Sequence, residues 1–208
     1  MQLKNISYSY KELFSFKRKN IFKDLNLKFE ENKIYLITAP NGYGKTTLLK
    51  IMAGFLIPDK GDVIVNNHLL KNFNPRLVYI VYNYTRRFYW QLTVKENIDF
   101  FSGIYHFSYN LNDFEMASDT LMMDRQFINK KFGQLSNGNM MKANLLLCFL
   151  SKSKIWLLDE PFVLLDEKSS ECLSKILKEE KKQRTIIIAS ASLKEKEIAD
   201  EIVYLEKL

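Results

Sequence analysis

Apolar and polar positions alternate with a period of two over residues 2–10 and 21–29, which predicts two strands. The polar, basic stretch 11–20 between them reads as a loop. Residues 33–38 form a short continuous apolar run, the pattern of a strand buried on both faces. A loop over 39–44 and a helix over 45–53 follow, with Gly54 placed to close the helix. Residues 61–65 and 77–81 predict further strands. From 93 to 150 the spacing turns helical. Thr93, with Glu96 three residues on, predicts a capping box, and Ser136 opens a polar turn before an apolar helix over 140–150. Strand patterns return at 155–158, 185–189 and 202–205, with helical segments between them. Strands alternating with helices predict an α/β fold on a parallel sheet, interrupted by a helical insertion.

Length and composition narrow the class. A chain of 208 residues suits one domain, and 47% hydrophobic content can fill its core. Cys148 and Cys172 form no CxxC pair and read as reduced thiols in helices, which suits a reducing cytosol. The longest aliphatic run, residues 145–150, is far short of the roughly 18–20 residues a membrane-spanning helix needs. The N-terminal alternation is not that of a signal peptide. At a membrane, such a chain would dock onto a partner. The net charge of +7 is scattered, apart from small groups such as Lys17-Arg18-Lys19, and reads first as a solvated shell and second as a juxtamembrane surface.

The segment Ala39-Pro40-Asn41-Gly42-Tyr43-Gly44-Lys45-Thr46-Thr47 lies between a predicted strand and a predicted helix, the context a phosphate-binding loop requires. Backbone amides from Asn41 to Thr47 can wrap phosphates at a helix N-terminus, with Gly42 and Gly44 keeping Cβ atoms clear. Lys45 would reach the β- and γ-phosphates and Thr46 would bind Mg²⁺. An ordinary glycine-rich turn with a chance lysine is the alternative, and the agreement of strand, glycines, lysine, threonine and helix disfavours it. Ala39 stands where the motif has its first glycine; if positive φ were required there, alanine would cost on the order of 1 kcal/mol.

The strand at 155–158 ends in Asp159-Glu160-Pro161. Ligands of open parallel sheets bind beyond the carboxyl ends of strands, so this pair falls near the phosphate loop if the two strands are neighbours. Asp159 would hold the Mg²⁺ shell and Glu160 would polarise the attacking water. Alone, such a pair is more often a solvated turn; beside a phosphate loop the catalytic reading gains.

With these motifs in place, the sequence resembles the ABC ATPase family over essentially its whole length. Leu135-Ser136-Asn137-Gly138-Asn139 is similar to the family's LSGGQ signature, with Asn137 and Asn139 in place of Gly and Gln. The resemblance implies that Ser136 and Gly138 contact the γ-phosphate held by an opposite subunit. It also implies that residues 162–166 form the D-loop, with Asp166 as its acid. Tyr10 matches the aromatic that stacks on adenine; an exposed strand-end tyrosine is the alternative. Asn83 is the best substitute for the Q-loop glutamine as a Mg²⁺ ligand, and Ala191 falls on the switch histidine.

The resemblance implies a P-loop NTPase with a RecA-like parallel sheet, an antiparallel β subdomain and an inserted α-helical subdomain. Residues 1–82 and 151–208 would form the nucleotide-binding core and 83–150 the helical signature subdomain. The implied function is an ATP-hydrolysing subunit that powers a transporter by ATP-dependent pairing with a second cassette. Its cofactors would be ATP and Mg²⁺. Its partner would be a multi-spanning membrane permease, and its place cytoplasmic, on the inner face of the cell membrane. A nucleotide-binding regulatory or assembly subunit with little turnover is the alternative, favoured by Asn83 and Ala191. A nucleic-acid partner is not expected: the one aromatic–basic cluster, Arg86-Arg87-Phe88-Tyr89-Trp90, lies where the family receives a helix of its membrane subunit.

Overall fold

The computed structural model describes residues 1–11, 18–82 and 87–206. Strands β1 (Gln2–Lys11), β2 (Arg18–Lys28), β4 (Lys60–Val65) and β5 (His68–Leu69) form an antiparallel sheet in the order β2-β1-β4-β5. Strands β3 (Ile34–Thr38), β6 (Val78–Val81), β7 (Ile155–Asp159), β8 (Thr185–Ser190) and β9 (Glu201–Tyr204) form a parallel sheet in the order β6-β7-β8-β3-β9. This is the α/β architecture with an antiparallel subdomain that the sequence implies.

The first loop is shorter than its polarity suggests. Tyr10 pairs with Lys19 and Lys11 with Arg18, so β1 and β2 run on into residues read as loop. A ladder whose side chains face water on both sides needs no apolar alternation, which is why the pattern did not reveal it. Residues 12–17 lie outside the described residues.

The continuous apolar runs reflect burial of the parallel sheet on both faces. Tyr35 and Ile37 of β3, Leu157 of β7 and Ile187 of β8 pack with α1 (Lys45–Met52) and the antiparallel sheet. Their sequence neighbours Ile34, Leu36, Leu158 and Ile188 pack on the other face, with α2 (Val94–Ile104), α5 (Asn137–Leu150) and α6 (Glu167–Glu180). Helix α2 starts with the expected capping box between Thr93 and Glu96. Two short helices, α3 (Leu111–Thr120) and α4 (Arg125–Ile128), complete the region between β6 and β7. Helix α5 is apolar nearly all round because it is buried, and its one buried amide, Asn144, donates to the Tyr82 carbonyl at 3.0 Å and accepts from Arg87. Among the described residues no helix is long and apolar enough to cross a membrane.

Candidate nucleotide-binding site

The phosphate loop connects β3 to α1. Gly42 and Gly44 both adopt positive φ, 86° and 91°. At Gly44 a Cβ would meet Ile21 Cγ2 at 2.6 Å and Phe22 Cζ at 2.9 Å, so glycine is required there twice over. Ala39 is not at positive φ, so the cost considered for alanine does not arise. No side chain caps α1. Its first amides therefore have no helical acceptor and lie on the wall of a cleft of about 360 Å³.

Tyr10, Asn41, Gly42, Gly44, Lys45, Thr46, Thr47, Asp159 and Glu160 all line this cleft. Tyr10 sits at its rim, 40% exposed, and its hydroxyl lies 3.1 Å from Thr47 Oγ1. Tyr43 turns away, half-buried against the apolar layer under α1. Asn83 lies outside the described residues.

Strands β3 and β7 are not neighbours, because β8 lies between them. The carboxylates still reach the phosphate loop, since α1 crosses over the sheet towards β7. Thr46 Oγ1 donates to Asp159 Oδ2 at 2.8 Å. Asp159 is 2% exposed, and its other oxygen is buried with no hydrogen-bond partner among the described residues. Burial raises its pKa, the Thr46 hydrogen bond opposes that, and the charge of Glu160 adds to it. A buried carboxylate oxygen without a donor, beside a hydroxyl, is a donor set that fits Mg²⁺ completed by phosphates and water.

Lys45 donates to the Ala39 carbonyl at 2.8 Å, and its Nζ lies 3.7 Å from Glu160 Oε1. Glu160 has φ 48°, a left-handed conformation that costs a β-carbon residue roughly 1–2 kcal/mol. Several contacts hold it there. Its amide donates to the Ala189 carbonyl at 2.8 Å. Its carboxylate accepts from Ser190 Oγ at 3.1 Å and from the Ala191 amide at 2.9 Å.

Ser136 and Gly138 are not part of this cleft. Ser136 caps α5, accepting from the Asn139 amide at 3.3 Å, and both residues line a separate recess with Leu164, Asp166 and Ser169. A Cβ on Gly138 would stand 3.0 Å from the Leu164 carbonyl. Asp166 caps α6 by accepting from the Ser169 amide at 2.7 Å.

Sequence reasoning missed four residues. Lys19 and Ile21 line the cleft from β2, and only strand pairing puts them there. Ser190, at the end of β8, donates to Glu160, and Glu195 is buried in the turn that follows.

A phosphate loop at the carboxyl edge of a parallel sheet, answered by a threonine–aspartate pair and a constrained glutamate, defines a P-loop nucleotide-binding cassette. The family model of ABC transporters matches residues 22–163, and the chain belongs to that family as an ATP-binding subunit. It is 29% identical over 188 residues to the cytochrome c biogenesis ATP-binding export protein CcmA of Wolbachia pipientis wMel, covering 88% of this chain and 87% of that one. It is 30% identical over 217 residues to the thiamine import ATP-binding protein ThiQ of Vibrio cholerae, covering 100% and 86%. The dimeric ATP-binding cassette MJ0796 bound to ADP and Pi shares the fold, with a TM-score of 0.89 at 21% identity over 99% of this chain and 94% of that one. The chain is thus the ATP-binding component that powers an ABC transporter, a family that hydrolyses ATP.

Proposed function

We propose that this chain hydrolyses MgATP slowly, in a head-to-tail pair of cassettes docked on a multi-spanning permease at the cytoplasmic face of the membrane. Residues 1–82 and 151–208 form the nucleotide-binding core in this reading, and 83–150 the signature subdomain. The observation that carries it is the meeting of Lys45, Thr46, Asp159 and Glu160 in one cleft that excludes Ser136 and Gly138. A signature outside its own cleft is of use only to another chain's nucleotide.

Each residue then has a task. The α1 amides and Lys45 bind and orient the β- and γ-phosphates, and Tyr10 offers its ring to the adenine. Thr46 and Asp159 would hold Mg²⁺, which supplies charge neutralisation at the phosphates when bound. Glu160 orients a water for in-line attack and takes up its proton. Ser136 and Gly138 of a second copy, or of a related cassette, close the site. Turnover is slow because Ala191 brings no imidazole to the γ-phosphate. In a regulatory subunit the same cleft would bind nucleotide without turnover, a reading that Asn83 and Ala191 favour and that Lys45, Asp159 and Glu160 oppose. Lys45→Ala tests the main reading. It abolishes tight MgATP binding or turnover, as read by nucleotide titration and a steady-state ATPase assay; unchanged affinity and hydrolysis would overturn it.

A further inference from the structure

Two consecutive residues at the end of β8 grip the Glu160 carboxylate. The Ser190 hydroxyl donates to Oε2 at 3.1 Å, and the Ala191 amide donates to Oε1 at 2.9 Å. The surroundings of Ser190 fix the direction of its bond. Its side chain is fully buried, and its oxygen accepts the Ser192 amide at 3.1 Å. An amide N–H can only donate and a carboxylate can only accept, so the Ser190 proton points to Glu160.

The two carboxylate oxygens are not held alike. Oε1 has the Ala191 amide and, 3.7 Å away, the Lys45 ammonium. Among the described residues, Oε2 takes its hydrogen bond from Ser190 alone. Without that hydroxyl both remaining attractions act on Oε1, and the carboxylate can pivot about it towards Lys45. The chain itself does not prevent this. The bond from the Glu160 amide to the Ala189 carbonyl anchors only the backbone, and the last torsion of a glutamate is broad.

We infer that Ser190 is a positioning residue for ATP hydrolysis, whose hydroxyl sets the plane of the Glu160 carboxylate and keeps it from turning onto Lys45. Ser190 has no exposed surface, so it acts through Glu160 and not on the nucleotide. Its effect therefore falls on the cleavage step and not on binding.

This inference rests on the proposed hydrolysis at Glu160. Its test compares Ser190→Ala and Ser190→Thr with wild type, and Glu160→Gln with Glu160→Gln/Ser190→Ala. The readouts are MgATP affinity, the single-turnover rate of ADP formation, and thermal melting. Ser190→Ala lowers the cleavage rate about tenfold while MgATP affinity stays within twofold, because only the aim of the water-orienting group is lost. Threonine keeps the hydroxyl, so Ser190→Thr stays within about threefold of the wild-type rate. In the Glu160→Gln background Ser190→Ala changes the residual rate less than twofold, since the group it aims is already disabled. A cleavage rate for Ser190→Ala within twofold of wild type, or above it, overturns the inference. So does the same tenfold loss in the Glu160→Gln background, or a Ser190→Thr variant that melts like wild type and is as slow as Ser190→Ala. If the added methyl group of threonine lowers the melting temperature, the alanine variants in the two backgrounds decide alone. All these outcomes leave wild-type binding and cleavage intact. A wild type that binds no MgATP, or binds it without cleaving it, is different: it removes the proposed hydrolysis itself, and the inference with it.

Discussion

The Ala191 amide donates to Glu160 Oε1 at 2.9 Å, so the residue at the switch position restrains the carboxylate through its backbone alone. Its side chain is a methyl group with nothing to offer a phosphate. Ala191 is exposed, so a larger side chain fits there without disturbing the core. Ala191→His therefore raises the ATPase rate, by up to about 10²-fold if the imidazole reaches the γ-phosphate. Steady-state phosphate release measures this. A wild-type enzyme already as fast as a complete site would show that another group supplies the contact.

Asp159 carries a cost that Mg²⁺ would relieve. Its pKa is raised by burial, so its ionised form destabilises the fold above the ordinary carboxylate range, and that cost fades as pH falls. Asp159→Asn removes the charge. In the absence of nucleotide and metal it raises the melting temperature at neutral pH by roughly 2–4 °C, equivalent to about 1 kcal/mol. The gain shrinks in acid. The same variant loses the Mg²⁺-dependent part of ATP binding. Calorimetry at two pH values and a nucleotide titration with and without Mg²⁺ check both halves.

Glu160→Gln keeps the shape of the side chain but cannot take the proton of the attacking water. With ATP and Mg²⁺ it accumulates as a pair of cassettes, each contributing Ser136 and Gly138 to the other's cleft. Light scattering that finds only monomer, with a related partner cassette also supplied, would count against the pairing.

The aromatic cluster before α2 divides. Phe88 is 3% exposed and stacks on Phe132, ring centroids 4.5 Å apart. Tyr89 and Trp90 are 50% and 52% exposed, and Tyr89 meets the half-exposed Phe100 edge-on. Arg87 is structural too, donating to the Ile80 carbonyl and the Tyr79 hydroxyl, while Arg86 lies outside the described residues. The sequence treats the three rings alike as a docking surface; the packing removes Phe88 from it. Phe88→Ala costs about 3–5 kcal/mol and melts the domain. Tyr89→Ala and Trp90→Ala leave melting nearly unchanged and weaken recruitment to membranes that carry the permease. Flotation with such membranes separates the outcomes, and retained recruitment in both variants would remove this docking site.

The sequence by itself determined the elements and the chemistry of the phosphate end. Apolar runs at β3, β7 and β8, short and rich in isoleucine and leucine, mark strands buried on both faces, whereas the similar run in α5 belongs to a longer segment with a helix cap. Gly42, Gly44, Lys45 and Thr46 form a local motif whose geometry one turn of chain enforces. What the tertiary structure decided is how distant segments meet. Placing β8 between β3 and β7 is a matter of sheet order, which no local pattern encodes, and it makes the Thr46–Asp159 contact a consequence of where α1 crosses the sheet. Lys19 enters the cleft through pairing with Tyr10, not through its own neighbours. Glu195 looks like any surface acid in a charged turn until the fold buries it. Periodicity reports which face of an element is buried, but the partner across that face is set by packing between segments far apart in the chain.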